Sequence, residues 1–257
     1  MTIGRERILS AIVPALEKEP RMLALWLEGA DGTGSVDPYS DIDLVICTRE
    51  GCADEAFGLL EACLKQMGSL DFAYEQPGRP ADNRYKVYHL ENSPAHLFLD
   101  VTVQSEGIPA PFVIEDITVV PVVLFDKAGI VKYRNVDREA LRQELLERLF
   151  HARGLYGQRS RAVKYTARGL FLESLIYYQK YVLDPLVEVL RILHTPIQAD
   201  AWLVHASRDF PPETAATLAH LYGVTTTADI AVRIREAEEW FGKAASEAEA
   251  RLSVAEA

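Results

Sequence analysis

The stretch Trp26-Leu27-Glu28-Gly29-Ala30-Asp31-Gly32-Thr33-Gly34-Ser35-Val36-Asp37-Pro38-Tyr39-Ser40-Asp41-Ile42-Asp43-Leu44 constrains the fold more than any other. The apolar run Met22 to Glu28 predicts a buried strand, Gly29 to Ser40 is dense in turn formers, and Asp41 to Cys47 predicts a second strand. Side chains alternate along a strand, so Asp41 and Asp43 share one face, about 6.5–7 Å apart at the backbone. Ile42, Leu44 and Ile46 take the other face and can be buried. Two like charges held side by side repel, and a divalent cation between them relieves the repulsion. Taken alone, an Asp-x-Asp pair at a strand start is more often a turn cap.

A third carboxylate fits the same pattern. In Ala95 to Gln104, Leu97, Leu99, Val101 and Val103 form an apolar face, and Asp100 points the other way with Phe98 and Thr102. If this strand lies beside Asp41 to Cys47, three carboxylates converge. Hard oxygen ligands at an open site suit Mg²⁺, and a pair of such ions can clamp the attacking and leaving oxygens of a phosphoryl transfer.

The remaining first half reads as short elements. A helix is expected at about residues 5–18, interrupted or ended by Pro14. Ala53 to Met67 has helical periodicity. Arg84 to Leu90 and Ala95 to Gln104 read as strands joined at Asn92-Ser93-Pro94, and Val119 to Phe125 as a last strand. Near residue 135 the texture becomes helical. Arg138 to His151 has apolar i, i+4 spacing, and Gly169 to Leu193 is apolar nearly all round, which predicts a central buried helix kinked or restarted at Pro185. Pro211-Pro212-Glu213 reads as a helix start, and Ile230, Ile234, Ala237 and Phe241 form one stripe. The expected architecture is α+β: a mixed sheet with flanking helices over residues 1–135, then an all-α bundle over 136–257.

Charge narrows the function classes. The 257 residues hold 38 acidic and 27 basic side chains, a net −11, of which residues 1–135 carry −9. That argues against a nucleic-acid surface. No apolar run approaches the ~20 residues of a membrane span, and the first residues lack the apolar core of a signal peptide. Cys47, Cys52 and Cys63 are too few for a disulfide framework, so a cytoplasmic setting is expected. The basic exception is Arg159 to Arg168, where Arg161, Lys164 and Arg168 share one helix face. No Walker loop, dinucleotide fingerprint, Gly-x-Ser-x-Gly elbow or His-Glu-x-x-His pair occurs. Tyr177, Tyr178, Tyr181 and Trp202 read either as core or as the lining of a substrate pocket.

The chain resembles the polymerase-β-type nucleotidyltransferase superfamily. Its signature is Gly-Ser or Gly-Gly, a short spacer, Asp-x-Asp, and a third acid on a later strand. Here the first pair falls on Gly29-Ala30 and the second on Asp41-Ile42-Asp43. Asp37-Pro38-Tyr39-Ser40-Asp41-Ile42-Asp43-Leu44 is similar to small bacterial members that adenylylate aminoglycoside and lincosamide antibiotics. The resemblance covers residues 22–104, and the helical half is similar only in arrangement. It implies transfer of a nucleoside monophosphate, AMP from ATP by expectation, to a hydroxyl of a small molecule, an antibiotic among the candidates. It implies Asp41 and Asp43 as Mg²⁺ ligands, Asp100 as ligand and catalytic proton acceptor, and Gly29, Ala30, Ser40 and Lys164 as nucleotide contacts. Arg84 and Lys86 are the other cations near the motif. One departure stands out: Ala30 replaces the family serine, with Thr33 and Ser35 as candidate substitutes. The alternative is an antitoxin-like or regulatory protein that acts on, or binds, a partner protein. A homodimer is left open.

Overall fold

A computed structural model describes residues 2–253. Contacts divide the chain into two compact units, Met1–Val136 and Asp137–Ala257.

The first unit begins with helix α1 (Arg5–Lys18), whose Ile8, Ile12 and Leu16 are fully buried. Pro14 does not break it. The proline is exposed, so the missing backbone donor falls on the solvent side, where the helix tolerates it. Strand β1 (Met22–Leu27) follows, then a single helical turn α2 (Gly29–Gly32) where only irregular turn had been expected. Next come β2 (Ile42–Thr48), α3 (Ala53–Met67), β3 (Leu70–Glu75), β4 (Asn83–Leu90), β5 (Leu99–Ser105), β6 (Ala110–Val113), β7 (Val122–Asp126) and β8 (Val131–Arg134). β3, β6 and β8 escape the sequence reading. β3 is an exposed edge with little alternation, and β6 and β8 have four residues each. The expected strand at Ala95 begins at Leu99, and that at Val119 begins at Val122.

The main sheet has the order β3-β4-β5-β2-β1-β7, and a second sheet pairs β6 with β8. All contacts within the large sheet are antiparallel except β2 against β5. Leu25, Ile42, Leu44, Ile46, Leu99, Val101 and Val103 pack with the buried side chains of α1 and α3 as the core. On the opposite face, Ala24, Trp26, Val45 and Cys47 pack with Phe112 of β6, the Trp26 and Phe112 rings meeting edge-to-face at 6.1 Å. Both faces of the central strands are therefore apolar at one end, and polar side chains concentrate at the other, where Asp43 and Asp100 lie.

The second unit is helical. α4 (Arg138–Tyr156) is capped by Asp137, which accepts from the Ala140 N–H at 3.0 Å, and runs past the expected end at His151. α5 (Ser160–Ala167) and α6 (Phe171–Tyr178) lead into a π-helical segment, Gln179–Leu183, and α7 (Asp184–His194). The 169–193 stretch is not buried all round. Leu170, Leu172 and Ile176 are exposed, and burial becomes complete only from Tyr181 into α7. Pro185 sits in the first turn of α7, directly after the π-helical segment, whose widened turn accommodates the missing backbone donor, so the helix continues through the proline rather than restarting at it. A 3₁₀ segment (Pro196–Ala201), α8 (Ala206–Asp209), α9 (Pro212–Tyr222) and α10 (Thr227–Ser253) complete the unit. Ile230, Ile234, Ala237 and Phe241 form the buried stripe of α10, with Phe241 stacked on Tyr156 at 3.8 Å. No helix among the described residues is long and apolar enough to cross a membrane.

One charge lies fully inside this unit. Arg191 of α7 donates to the Trp202 carbonyl at 2.6 Å, the Val204 carbonyl at 2.5 Å, Thr195 Oγ1 at 3.2 Å and the Asp209 carboxylate at 2.8 Å. It thereby pins the irregular segment that carries Trp202 and His205, both at positive φ. Arg191→Ala should cost about 3–5 kcal/mol, because Asp209 then keeps a charge without its main buried partner. Urea denaturation measures this, and a loss below 1 kcal/mol would show that the segment is held by other means.

Candidate functional site

Asp43 and Asp100 are registered partners in the parallel β2–β5 pair. Side by side on neighbouring strands, they point to the same face of the sheet. Asp41 lies two residues before Asp43, with the same parity. One carboxylate oxygen from each of Asp41, Asp43 and Asp100 can be chosen so that all three lie within 4.8 Å of one another. The opposite parity behaves as the alternation requires: Ile42, Leu44, Leu99 and Val101 are buried in the core.

The turn after β1 closes over this cluster. Gly29 has φ +59°, and a Cβ there would overlap the Asp43 carboxylate. A Cβ on Gly32 would overlap the Val120 carbonyl. Both glycines are therefore required by close packing, and Gly29 by its backbone conformation as well. The Glu28 N–H donates to the Asp43 carbonyl at 3.1 Å, and the Trp26 indole donates to the Glu28 carboxylate at 2.7 Å. Ala30 follows Gly29 in α2 and offers no hydroxyl. Thr33 Oγ1 donates to the Gly29 carbonyl at 3.2 Å and lies 2.7 Å from Ser35 Oγ, so both candidate substitutes are engaged within the turn. Ser40 is engaged too. Its Oγ accepts from the Asp37 N–H at 2.9 Å and donates to the Asp37 carboxylate at 3.1 Å.

Three residues at this site escaped the sequence reading. Arg5 of α1 donates to the Asp41 carbonyl and to the Asp31 carboxylate. The Tyr85 hydroxyl donates to Asp100. Glu28 bears on the cluster through its charge. Tyr85 lies on β4, two residues from the registered partner of Asp100, and so shares its face. Arg84 and Lys86 have the opposite parity. They bond Asp54, Glu75 and Glu61 and sit over the Phe57 ring, so they serve the α3 side of the sheet rather than the carboxylates.

Electrostatics record the crowding. Burial, then the neighbouring Asp41 and Asp100 charges, push the Asp43 carboxyl up to about 6. Burial also raises Asp100, against the Tyr85 hydrogen bond, which lowers it. A set of three carboxylates with oxygens this close and with unrelieved mutual repulsion fits a hard divalent cation such as Mg²⁺.

The helical unit holds a cavity of about 710 Å³ lined by Glu144, Glu147, Arg148, His151, Asp184, Glu188 and Trp202. Arg148 is bonded to Glu144 at 3.0 Å and Glu188 at 2.8 Å, which leaves Glu147 and Asp184 as lining carboxylates outside that ion pair, Asp184 feeling the charge of Lys180. Asp184 Oδ1 is buried with no hydrogen-bond partner, and burial raises its proton affinity against a Trp202 hydrogen bond that lowers it. Of the tyrosines singled out in the sequence, Tyr178 is core, its hydroxyl donating to the Leu221 carbonyl at 2.9 Å. Tyr165, Tyr177 and Tyr181 form a parallel stack at 4.9 and 5.7 Å. Lys164 and Arg168 lie against Tyr165, and Arg161 against Tyr181. Unlike Arg142, Arg153 and Arg159, these three cations carry no ion pair among the described residues.

No protein-family model matches the chain, and no curated protein does. Among solved structures the chain is similar to an aminoglycoside 6-adenyltransferase from Bacillus subtilis, at 14% identity and TM-score 0.39, over 99% of this chain and 94% of that one. It is also similar to a spectinomycin adenyltransferase from Enterococcus faecialis solved with ATP and spectinomycin. That match has 9% identity and TM-score 0.33, over 96% of this chain and 100% of that one.

The raised Asp43 value has a definite sign. The folded protein holds this proton to higher pH than the unfolded chain, whose carboxyl titrates near 3.8. The associated stability is present below about pH 4 and is lost as pH rises through about 6. In metal-free protein, Asp43→Asn should therefore raise stability at pH 7.5 by on the order of 1–3 kcal/mol and change little at pH 4. Urea titrations at both pH values test this, and a loss of stability at pH 7.5 would contradict it.

Proposed function

We propose that the chain is an NTP-dependent nucleotidyltransferase that passes a nucleoside monophosphate, AMP from ATP in the first instance, to a hydroxyl of a small molecule. The observation that carries this reading is the convergence of Asp41, Asp43 and Asp100 beside the close-packed Gly29 turn. The motif resemblance of residues 22–104 supports it.

In this reading Asp41, Asp43 and Asp100 would hold the metal. Magnesium bound there supplies charge neutralisation of the phosphoryl oxygens and lowers the pKa of a hydroxyl near it. Asp100 takes the acceptor's proton. Its half-buried setting makes it a better base than an exposed aspartate, and the Tyr85 hydroxyl fixes its orientation by donating to one oxygen. The backbone N–H groups at Gly29 and Ala30 would donate to phosphate oxygens, and Ser40 shapes the turn leading into Asp41. Lys164, with Arg161 and Arg168, supplies positive charge to a ligand that brings about four negative charges of its own.

The cavity of the helical unit supports an acceptor that carries amino groups. Glu147 and the partly unsatisfied Asp184 offer carboxylates to a cation, and the Trp202 ring offers it a face. Aminoglycosides belong to that chemical class.

The test is a thermal-shift series with Mg²⁺ and each NTP, followed by transfer from labelled NTP to a panel of aminoglycosides, lincosamides and neutral alcohols. Stabilisation by at least one NTP with Mg²⁺, and labelled product with an amine-bearing acceptor, are expected. Asp43→Asn and Asp100→Asn should abolish transfer with the fold intact. Absence of any NTP-dependent shift would overturn the reading. Lys164→Ala should weaken nucleotide affinity about tenfold, the value of one charge-assisted contact. Unchanged affinity would remove Lys164 from the nucleotide's surroundings.

A further inference from the structure

Asp41 differs from its two companions in how it is held. Asp43 and Asp100 sit inside ladders: β2 pairs with β1 and β5 along its length, and the Glu28 N–H reaches the Asp43 carbonyl. Asp41 lies before the start of β2. Its peptide joins the ladder on one side only, through the Ile42 N–H that donates to the Phe98 carbonyl at 2.9 Å, while the Asp41 carbonyl accepts from no strand. Instead it receives one nitrogen of the Arg5 guanidinium, whose other terminal nitrogen bonds Asp31 in α2. On one side of Asp41 runs an exposed loop, residues 34–39.

Arg5 is itself fixed. It opens α1, which is anchored to the core by Ile8, Ile12 and Leu16, and its side chain is only 16% exposed. One planar fork thus joins three separate pieces of chain: the helix α1, the turn that carries Gly29, and the residue that enters β2. A guanidinium suits this task because its donors are fixed in one plane and stay charged at any working pH.

We propose that Arg5 is the positioning residue of the carboxylate site, the tether that places Asp41 against Asp43 and Asp100 before a cation arrives. The proposal rests on the reading that these carboxylates bind a divalent metal. Arg5 does not touch the reacting atoms. It acts through the Asp41 backbone and the Gly29 turn, and its loss leaves Asp41 held on the ladder side alone, by the Ile42 N–H, with no anchor toward α1 and the Gly29 turn. Groups that orient metal ligands in this way are typically worth about 10–100-fold in metal affinity.

The experiment is calorimetric titration of the full chain with Mn²⁺, below the melting temperature of every variant. Wild type should bind, and Asp43→Asn should not. Arg5→Met should bind about tenfold more weakly, and Arg5→Lys, which keeps charge and donors, should recover part of the loss. Adding Asp31→Asn to Arg5→Met should leave affinity low, because the tether is still missing. Should Arg5→Met fail to fold, Arg5→Gln takes its place. It keeps the stem and one donor group but cannot span both acceptors. Wild-type Mn²⁺ affinity in the folded Arg5 variant, with Asp43→Asn abolishing binding, would overturn the Arg5 proposal alone. Recovery of affinity by Asp31→Asn would overturn the tether and leave Arg5 as a mere countercharge. Failure of wild type to bind Mn²⁺, or undiminished binding by Asp43→Asn, would overturn the metal reading itself and the tether with it.

Discussion

The register of the parallel β2–β5 strand pair governs this molecule. With Asp43 opposite Asp100, the residues on either side of each, Ile42 and Leu44, Leu99 and Val101, all enter the core beneath α1 and α3. A slip of one residue would send a carboxylate into that core and bring two aliphatic side chains out. The apolar face therefore enforces the register, and the register in turn forces the carboxylates together. The energy that holds the charges in place comes from burial on the far side of the same strands. The site is thus purchased by the core rather than by any interaction within it.

The same division of labour recurs in the helical unit. The segment between α7 and α9 has little regular structure of its own and places Trp202 and His205 at positive φ. Its order comes from Arg191, whose donors gather three backbone or hydroxyl oxygens and one carboxylate. Arg191 is flanked by buried aliphatic residues of α7, so its position is set by packing and its polar end sets the loop. In both units an irregular segment next to a concave or charged region is held by an arginine that projects from a well-packed helix.

Much of the α+β plan was readable because it rests on local pattern. The alternation at Asp41–Cys47 and Leu97–Val103, the helical period at Ala53–Met67 and the stripe on α10 each occupy one contiguous stretch. What could not be read depends on partners distant in sequence. Arg5 lies 36 residues from Asp41 and looks like any basic residue at a helix start. Tyr85 gains its meaning only from the antiparallel register of β4 on β5. The same register sends Arg84 and Lys86 to the helix-covered face, which a linear scan for cations cannot reveal. The stretch 169–193 differs for another reason. An apolar run with no polar side predicts a buried helix, whereas α6 at its start holds Leu172 and Ile176 in solvent.

The price of Asp43's surroundings has a consequence for how such a chain would change under different pressures. A carboxyl driven up to about 6 by burial and two like neighbours is a place where the folded state is held under internal stress. Substitutions that relieve this stress are isosteric and within reach of a single nucleotide change. A lineage or a laboratory selection that rewards only thermal robustness would therefore erode the carboxylate triplet early, and would do so without disturbing the fold.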